Sequence, residues 1–222
     1  KELIRKDTPI IYEATFQYDQ ILVMVDILHK TPKGWDIIEV KSSTGVKRTH
    51  IHDVGIQYYV LYQAGFPINS ASICHINTKY ERKFRLVFKK LFNIKDITEK
   101  VIERQEFIST DILKMRHHLP LNKPPKVKIG TYCFAPYECD FKDKCWKNVP
   151  KNSIFNLSQL SNKERFKLYH KGYQTLDHIP DTVSLLDTQK IQVKSDISNT
   201  EYIDKGFIKK FLESLSFPLY CI

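Results

Sequence analysis

The stretch from Gln20 to Leu28 (QILVMVDIL) is dense in strand-forming apolar residues, Thr31-Pro32-Lys33-Gly34 carries turn chemistry, and Trp35 to Lys41 (WDIIEVK) is a second apolar run. This pattern predicts a β-hairpin with its turn centred between Pro32 and Lys33, so that Asp26 falls opposite Glu39. Downstream, Asp53 to Ala64 reads as a helix ended by Gly65 and Pro67, Ser70 to Thr78 as a strand, and Phe84 to Phe92 as a further apolar run. From Thr98, read as an N-cap, apolar residues at Val101, Ile108, Ile112 and Met115 predict one long amphipathic helix that Pro120 ends. Strands mixed with helices make residues 1–118 α/β. Leu119 to Ile129 is a Pro/Lys-rich linker, and Leu157 to Gly172 predicts a capped helix stopped by glycine within a small helical appendage.

Charged residues interrupt the hairpin where apolar ones are expected. Side chains two apart on a strand share a face, so Glu39 and Lys41 project together while Val40 points away. With Asp26 across the ladder, two carboxylates and one ammonium converge on one patch. Like charges so close are costly unless a cation lies between them, and hard carboxylate oxygens suit Mg²⁺ or Mn²⁺. Such a metal would acidify a bound water and neutralise charge on a phosphate under attack, with Lys41 at the water or at the developing charge. The plainer reading is a same-face ion pair on a solvated strand, worth under about 1 kcal/mol. The neighbouring Ile37 and Ile38 argue against a decorative charge there.

Composition adds a partner class. The 222 residues hold 35 Lys+Arg against 25 Asp+Glu, a formal charge of +10, which creates positive potential suited to a polyanion. Basic clusters lie at Lys47-Arg48, Arg82-Lys83 with Arg85, Lys89-Lys90, Arg116-His117-His118 and Lys123 to Lys128. Each alone reads as a solvated face; beside a metal site they would contact phosphates. Tyr58, Tyr59, Tyr80 and Phe84 are candidates to stack on bases, although most aromatic residues must fill core. No signal peptide or transmembrane run is present in the sequence, which points to a cytoplasmic protein without a membrane partner. Cys133, Cys139 and Cys145 recur at equal spacing in a Pro/Tyr-rich segment and suggest a bound metal, although the spacing is not that of a zinc finger. Cys74 reads as a small core residue of its strand.

In combination, Asp26, Glu39-Val40-Lys41 and Gln57 resemble the PD-(D/E)xK nucleases of the RecB type, including the CRISPR-associated iron-sulfur exonucleases. The stretches Ile11 to Thr15, Val25 to Leu28, Ile38 to Ser43, Asp53 with Gln57 to Leu61, and Tyr132 to Cys139 are more closely similar to a bacterial family of uncharacterised RecB-like proteins. The resemblance implies a restriction-endonuclease-like central mixed sheet flanked by helices, with a Cys-rich metal segment and a small helical C-terminal module. It implies that Asp26 and Glu39 ligate Mg²⁺ or Mn²⁺, with the Val40 carbonyl as a further ligand, Lys41 as the catalytic lysine and Glu13 completing the metal shell. A surface carboxylate at an element end is the competing reading of Glu13. Gln57 matches the family's glutamine, but its usual Gln-x-x-x-Tyr is not met because position 61 is leucine. Tyr58, Tyr59 or Tyr62 would then take the aromatic role.

For the cysteines, the resemblance implies that Cys133, Cys139 and Cys145 join one cysteine upstream of the nuclease motifs around a 4Fe-4S cluster. No such upstream cysteine occurs in this sequence; Zn²⁺ with a borrowed ligand, or three free thiols, are the alternatives. The chain begins without methionine and Phe217 to Ile222, with Cys221, reads as a strand just starting, so a fragment is expected that lacks an N-terminal segment and a C-terminal DEDD exonuclease-like domain. The expected organisation is a nuclease domain over 1–150, including the Cys-rich segment 130–146, followed by a helical module over 151–222. The helical module is similar to one that follows RecB-like nuclease domains and distantly resembles helix-hairpin-helix DNA binders. The expected function is metal-dependent hydrolysis of nucleic acid, DNA ahead of RNA, as an exonuclease. The alternative is a non-catalytic nucleic-acid-binding or scaffolding domain of a larger nuclease, with hydrolysis by the following domain a third possibility.

Overall fold

The computed structural model of the protein describes residues 2–180 and 182–216. The strand expected over 217–222, with Cys221, lies outside them. The chain forms two compact units, Lys1–Pro125 and Lys126–Ile222. The 130–146 segment, expected with the first domain, thus groups with the helices that follow it. The physical reason is aromatic packing: Trp146 lies 5.3 Å from Phe134 and 4.5 Å from Phe155, and Phe155 lies 4.8 Å from Phe166.

In the first unit a short helix, α1 (Glu2–Arg5), precedes β1 (Ile10–Tyr18), β2 (Ile21–Thr31) and β3 (Gly34–Lys41). Then come α2 (Arg48–Gln63), β4 (Ile68–Ile76), α3 (Phe88–Leu91), β5 (Phe92–Asp96), α4 (Thr98–Ile102) and α5 (Gln105–His118). The five strands make one mixed sheet in the order β1-β2-β3-β4-β5. Only β3 and β4 run parallel, because α2 carries the chain back between them. The helix lays Ile51, Val54, Val60 and Leu61 on the sheet against Val25, Leu28, Ile37 and Ile73, all buried. These make the α/β core, with helices flanking the sheet.

The hairpin forms as its residues dictate. Thr31 pairs with Gly34 across Pro32-Lys33, and Ile27 pairs with Ile38. Gly34 is required there: its φ is +137°, and a Cβ would stand 2.7 Å from the Pro67 carbonyl oxygen. The first strand, β1, was not expected as a separate element. Glu13 sits inside it rather than at an element end.

Two helix expectations need correction. Helix α2 starts at Arg48 instead of Asp53, because Lys47 is its N-cap and the His50 ring accepts the Lys47 N–H at 3.2 Å. Thr98 is not an N-cap: its hydroxyl accepts from the Ala71 N–H at 2.9 Å, tying the helix start to β4, while Ile97 holds the cap position. The long amphipathic helix is broken at Glu103-Arg104 into α4 and α5, so Val101 and Ile108 are buried while Met115 is exposed.

The second unit holds α6 (Lys142–Trp146), α7 (Asn162–His170), α8 (Asp187–Ser198) and α9 (Lys205–Glu213); α7 and α8 pack on a small core of Ile154, Leu157 and Leu176, whereas α9 is exposed along its length. The expected capped helix is present as α7. Ser161 and Glu164 bond each other's backbone N–H groups, and Gly172 follows at φ +98°. Among the described residues no helix is long and apolar enough to cross a membrane.

Candidate functional site

The C-terminal end of β3 gathers the charged residues of the hairpin. Alternation along the strand turns Trp35, Ile37 and Glu39 to the buried face, and Val40 is 42% exposed on the other. Glu39 is only 6% exposed, yet both its carboxylate oxygens are occupied. Oε1 accepts from Lys41 Nζ at 2.6 Å and Oε2 from Gln57 Nε2 at 2.7 Å. Gln57 is placed by α2, whose packing on the sheet brings its side chain over the strand end. One turn earlier on that helix, Asp53 Oδ2 meets Lys41 Nζ at 2.5 Å. The ammonium is therefore gripped by two carboxylates.

Asp26 joins from the adjacent strand. Its Oδ2 accepts the Val40 N–H at 2.7 Å, and continuing the β2–β3 register one step from Ile27–Ile38 puts it beside Glu39. The cause lies in a kink shared by β1 and β2. The ladder holds Tyr12–Ile27 and Ala14–Val25 but lacks the pair between them, Glu13 with Asp26. Core-facing positions step by three instead of two in both strands, from Ile11 to Ala14 and from Val25 to Leu28. Glu13 carries the distortion, with φ +52°, a left-handed conformation uncommon for a non-glycine residue inside a strand. Distortions of this kind re-aim side chains, and here the strand turns Asp26 toward β3.

The electrostatics are lopsided. Burial pushes the Glu39 carboxyl above its ordinary range, and the nearby Asp26 and Asp53 charges add to this, outweighing the bonds from Gln57 and Lys41. Lys41 moves the other way. Although burial would lower it, the bonds to Asp53 and Glu39 raise it, so it stays charged at any physiological pH. His50, buried nearby, is held below its usual range by burial and by the Lys41 and Lys47 charges. Gln57 Oε1 is buried without a hydrogen-bond partner.

The structure thus brings Asp26, Glu39, Val40, Lys41 and Gln57 together, and leaves Glu13 exposed at the unpaired step of the β1–β2 ladder, without a bond to any of them. Two contributors had no assigned role: Asp53 and His50. The Asp53–Gln57 spacing of four, which puts both on one helix face, was the signal available for Asp53. Tyr58 stacks on Tyr62 at 6.0 Å, and Leu61 is fully buried in the core. The donor set is made of hard oxygens, two carboxylates whose charges oppose each other, and an unpartnered buried amide oxygen beside them. That chemistry fits a divalent cation of the Mg²⁺ or Mn²⁺ type.

The three cysteines of the 130–146 segment belong to the other unit. Cys133 is buried on a single turn (Thr131–Cys133) with its sulfur 3.5 Å from the Gly130 N–H, whereas Cys139 and Cys145 are exposed free thiols. Among the described residues no group of three or more His, Cys, Asp or Glu side chains is placed to hold a metal ion, which applies to these thiols and equally to the carboxylates around Glu39, where a cation would draw on two carboxylates with backbone and amide oxygens. A closed thiolate site is therefore not assembled by these residues alone. Compared with protein-family models and with curated proteins, the chain matches none.

Proposed function

We propose that the chain is a divalent-cation-dependent nuclease with a restriction-endonuclease-like core, hydrolysing phosphodiester bonds at the C-terminal end of β3. The observation that carries this reading is a buried carboxylate, Glu39, clamped between Lys41 and Gln57 while a second carboxylate, Asp26, is turned toward the same point by a kinked strand pair. A stable fold gains nothing obvious from this: burying like charges costs more than an apolar pair would. Functional sites are where such perturbed groups collect.

Asp26 and Glu39 would hold the cation, with the Val40 carbonyl and Glu13 as further oxygen donors, and when bound it supplies positive charge that acidifies water and offsets charge on the phosphate. Lys41, held charged, is positioned to donate to a phosphate oxygen or to the attacking water and so to stabilise negative charge as it develops. Gln57 orients Glu39, and Asp53 steadies Lys41. DNA as substrate and attack from an end are carried by the family resemblance alone.

A non-catalytic nucleic-acid-binding domain is the second reading, favoured by the engagement of Lys41 in two ion pairs that commit two of its three ammonium donors. The two separate at Lys41→Met, which keeps the volume and removes the charge. The nuclease reading expects cleavage to fall to background while DNA affinity, measured in EDTA, stays near that of wild type. Folded, cation-supplied wild type that binds DNA and never cuts it would favour the second.

A further inference from the structure

The loop joining β4 to β5, Asn77 to Leu91, leaves the sheet beside the candidate site. Lys41 is paired with His75 in the parallel ladder, and the Ile76 N–H donates to the Ser43 carbonyl at 2.9 Å, so the loop starts two residues past the neighbour of Lys41. It carries six cations, at 79, 82, 83, 85, 89 and 90, against one acid, Glu81. Among the described residues none of the six takes part in an ion pair.

The loop is nevertheless braced. Asn77 donates from its backbone to the Leu91 carbonyl at 2.8 Å and from its side chain to the Lys90 carbonyl at 2.9 Å, and the Tyr80 hydroxyl accepts the Val87 N–H at 2.9 Å. The braces enclose a cleft of about 800 Å³ lined by Lys79, Lys83, Arg85, Lys89, Lys90 and Phe84. Phe84 is 89% exposed. A ring left almost wholly in water forgoes the burial that drives folding, and cations gathered around it repel one another; a ligand both anionic and flat-faced would offset both costs at once.

We infer that this loop grips single-stranded nucleic acid, with phosphates on the Lys and Arg side chains and an unpaired base stacked on Phe84. Charge alone would suit a duplex equally. The exposed ring decides for a single strand, because a base offers its face only when unstacked. DNA and RNA share this chemistry. The inference deepens the nuclease reading by naming the substrate form delivered to Glu39 and Lys41, and it rests on that reading only for the delivery.

The test is fluorescence anisotropy in EDTA with oligo-dT, oligo-rU and a DNA duplex of the same length, using wild type, Phe84→Ala, Phe84→Trp and the double variant Lys83→Glu/Arg85→Glu. Wild type should bind at least one single strand more tightly than the duplex, the two single-strand arms showing which sugar is preferred. Phe84→Ala should weaken single-strand binding by about tenfold, with Phe84→Trp restoring it. The double variant should flatten the slope of log K against log salt by about 1.4, or about 0.7 for each lost phosphate contact. All substituted residues are exposed, so thermal melts should match wild type. Duplex bound as tightly as both single strands, or Phe84→Ala without effect, would overturn the inference. If these binding effects hold in a protein that cleaves nothing with Mn²⁺, the nuclease reading fails and the loop stands; if cleavage occurs and loop variants bind normally, the reverse is true.

Discussion

The C-terminal end of β3 and the cysteine segment both carried candidate metal ligands, and the fold treats them in opposite ways. At β3 the side chains come from two adjacent strands and one helix, with Glu39 and Gln57 buried, and are pinned by bonds of 2.5–2.7 Å. In the 130–146 segment Cys133 and Cys145 ride on short helical turns and Cys139 on irregular chain between them, two of the three exposed, while the segment's tight packing belongs to Phe134 and Trp146. Equal spacing therefore means different things in the two places. On a strand, a spacing of two compels two side chains onto one face. In an irregular segment a spacing of six compels nothing.

The largest effect that sharpens this contrast is expected at Lys41. Replacing it with alanine leaves Glu39 buried and facing Asp26 and Asp53 without its cation, which should cost about 3 kcal/mol in urea unfolding. This is the low end for a buried pair, because a quarter of the Lys41 side chain remains in water. A loss under about 0.5 kcal/mol would reduce the pair to an ordinary surface contact.

The other end of β3 provides a control with polar bonds and no proposed chemistry. Asp36 accepts from Asn69 and Ser70, both at 2.7 Å, and from His29 at 3.3 Å. Burial works to raise its carboxyl, but these bonds prevail and hold it below its ordinary value. Asp36→Ala should cost about 1.5–3 kcal/mol at neutral pH. The sign follows from linkage: a depressed folded pKa contributes stability that is complete above the unfolded value, near 3.8, and is lost as pH falls through the lower folded value. The gap between wild type and variant in melts should therefore hold from neutral pH to about 4 and shrink only in stronger acid. A gap that widened on acidification would show that another group is responsible.

Gln57→Ala should cost about 1–2 kcal/mol, since it leaves one Glu39 oxygen buried without its donor. At the cysteines the expected order is unequal. Cys139→Ser and Cys145→Ser should change stability by less than about 0.5 kcal/mol, whereas Cys133→Ser, which puts a hydroxyl in a buried place, should cost more. Equal and large losses at all three would mean that they act as one metal-bound set and would erase the contrast.

The same contrast explains what could be read from residues alone. The hairpin, its turn and the shared face of Glu39 and Lys41 were legible because alternation and turn chemistry agree there. Glu13 was misplaced because the kink it carries breaks the very periodicity that reveals a strand. The start of α2 was read at Asp53, five residues late: the Lys47 N–H is bonded by the His50 ring, a cap that carries no sequence signature of its own, and Asp53 is engaged with Lys41. The single long helix was expected from its apolar repeat, which runs through the break at Glu103-Arg104 without a glycine or proline to mark it. The grouping of the cysteine segment with the later helices depends on aromatic contacts between residues as far apart in sequence as Phe134 and Phe166, which no local pattern encodes.

The most direct test of the central claim is cleavage of end-labelled single- and double-stranded DNA with Mn²⁺ by wild type, Glu39→Ala and Lys41→Ala, each verified as folded. The expected result is cleavage by wild type that disappears in both variants. Absence of cleavage by folded, Mn²⁺-supplied wild type, or cleavage that persists undiminished in both variants, would contradict it.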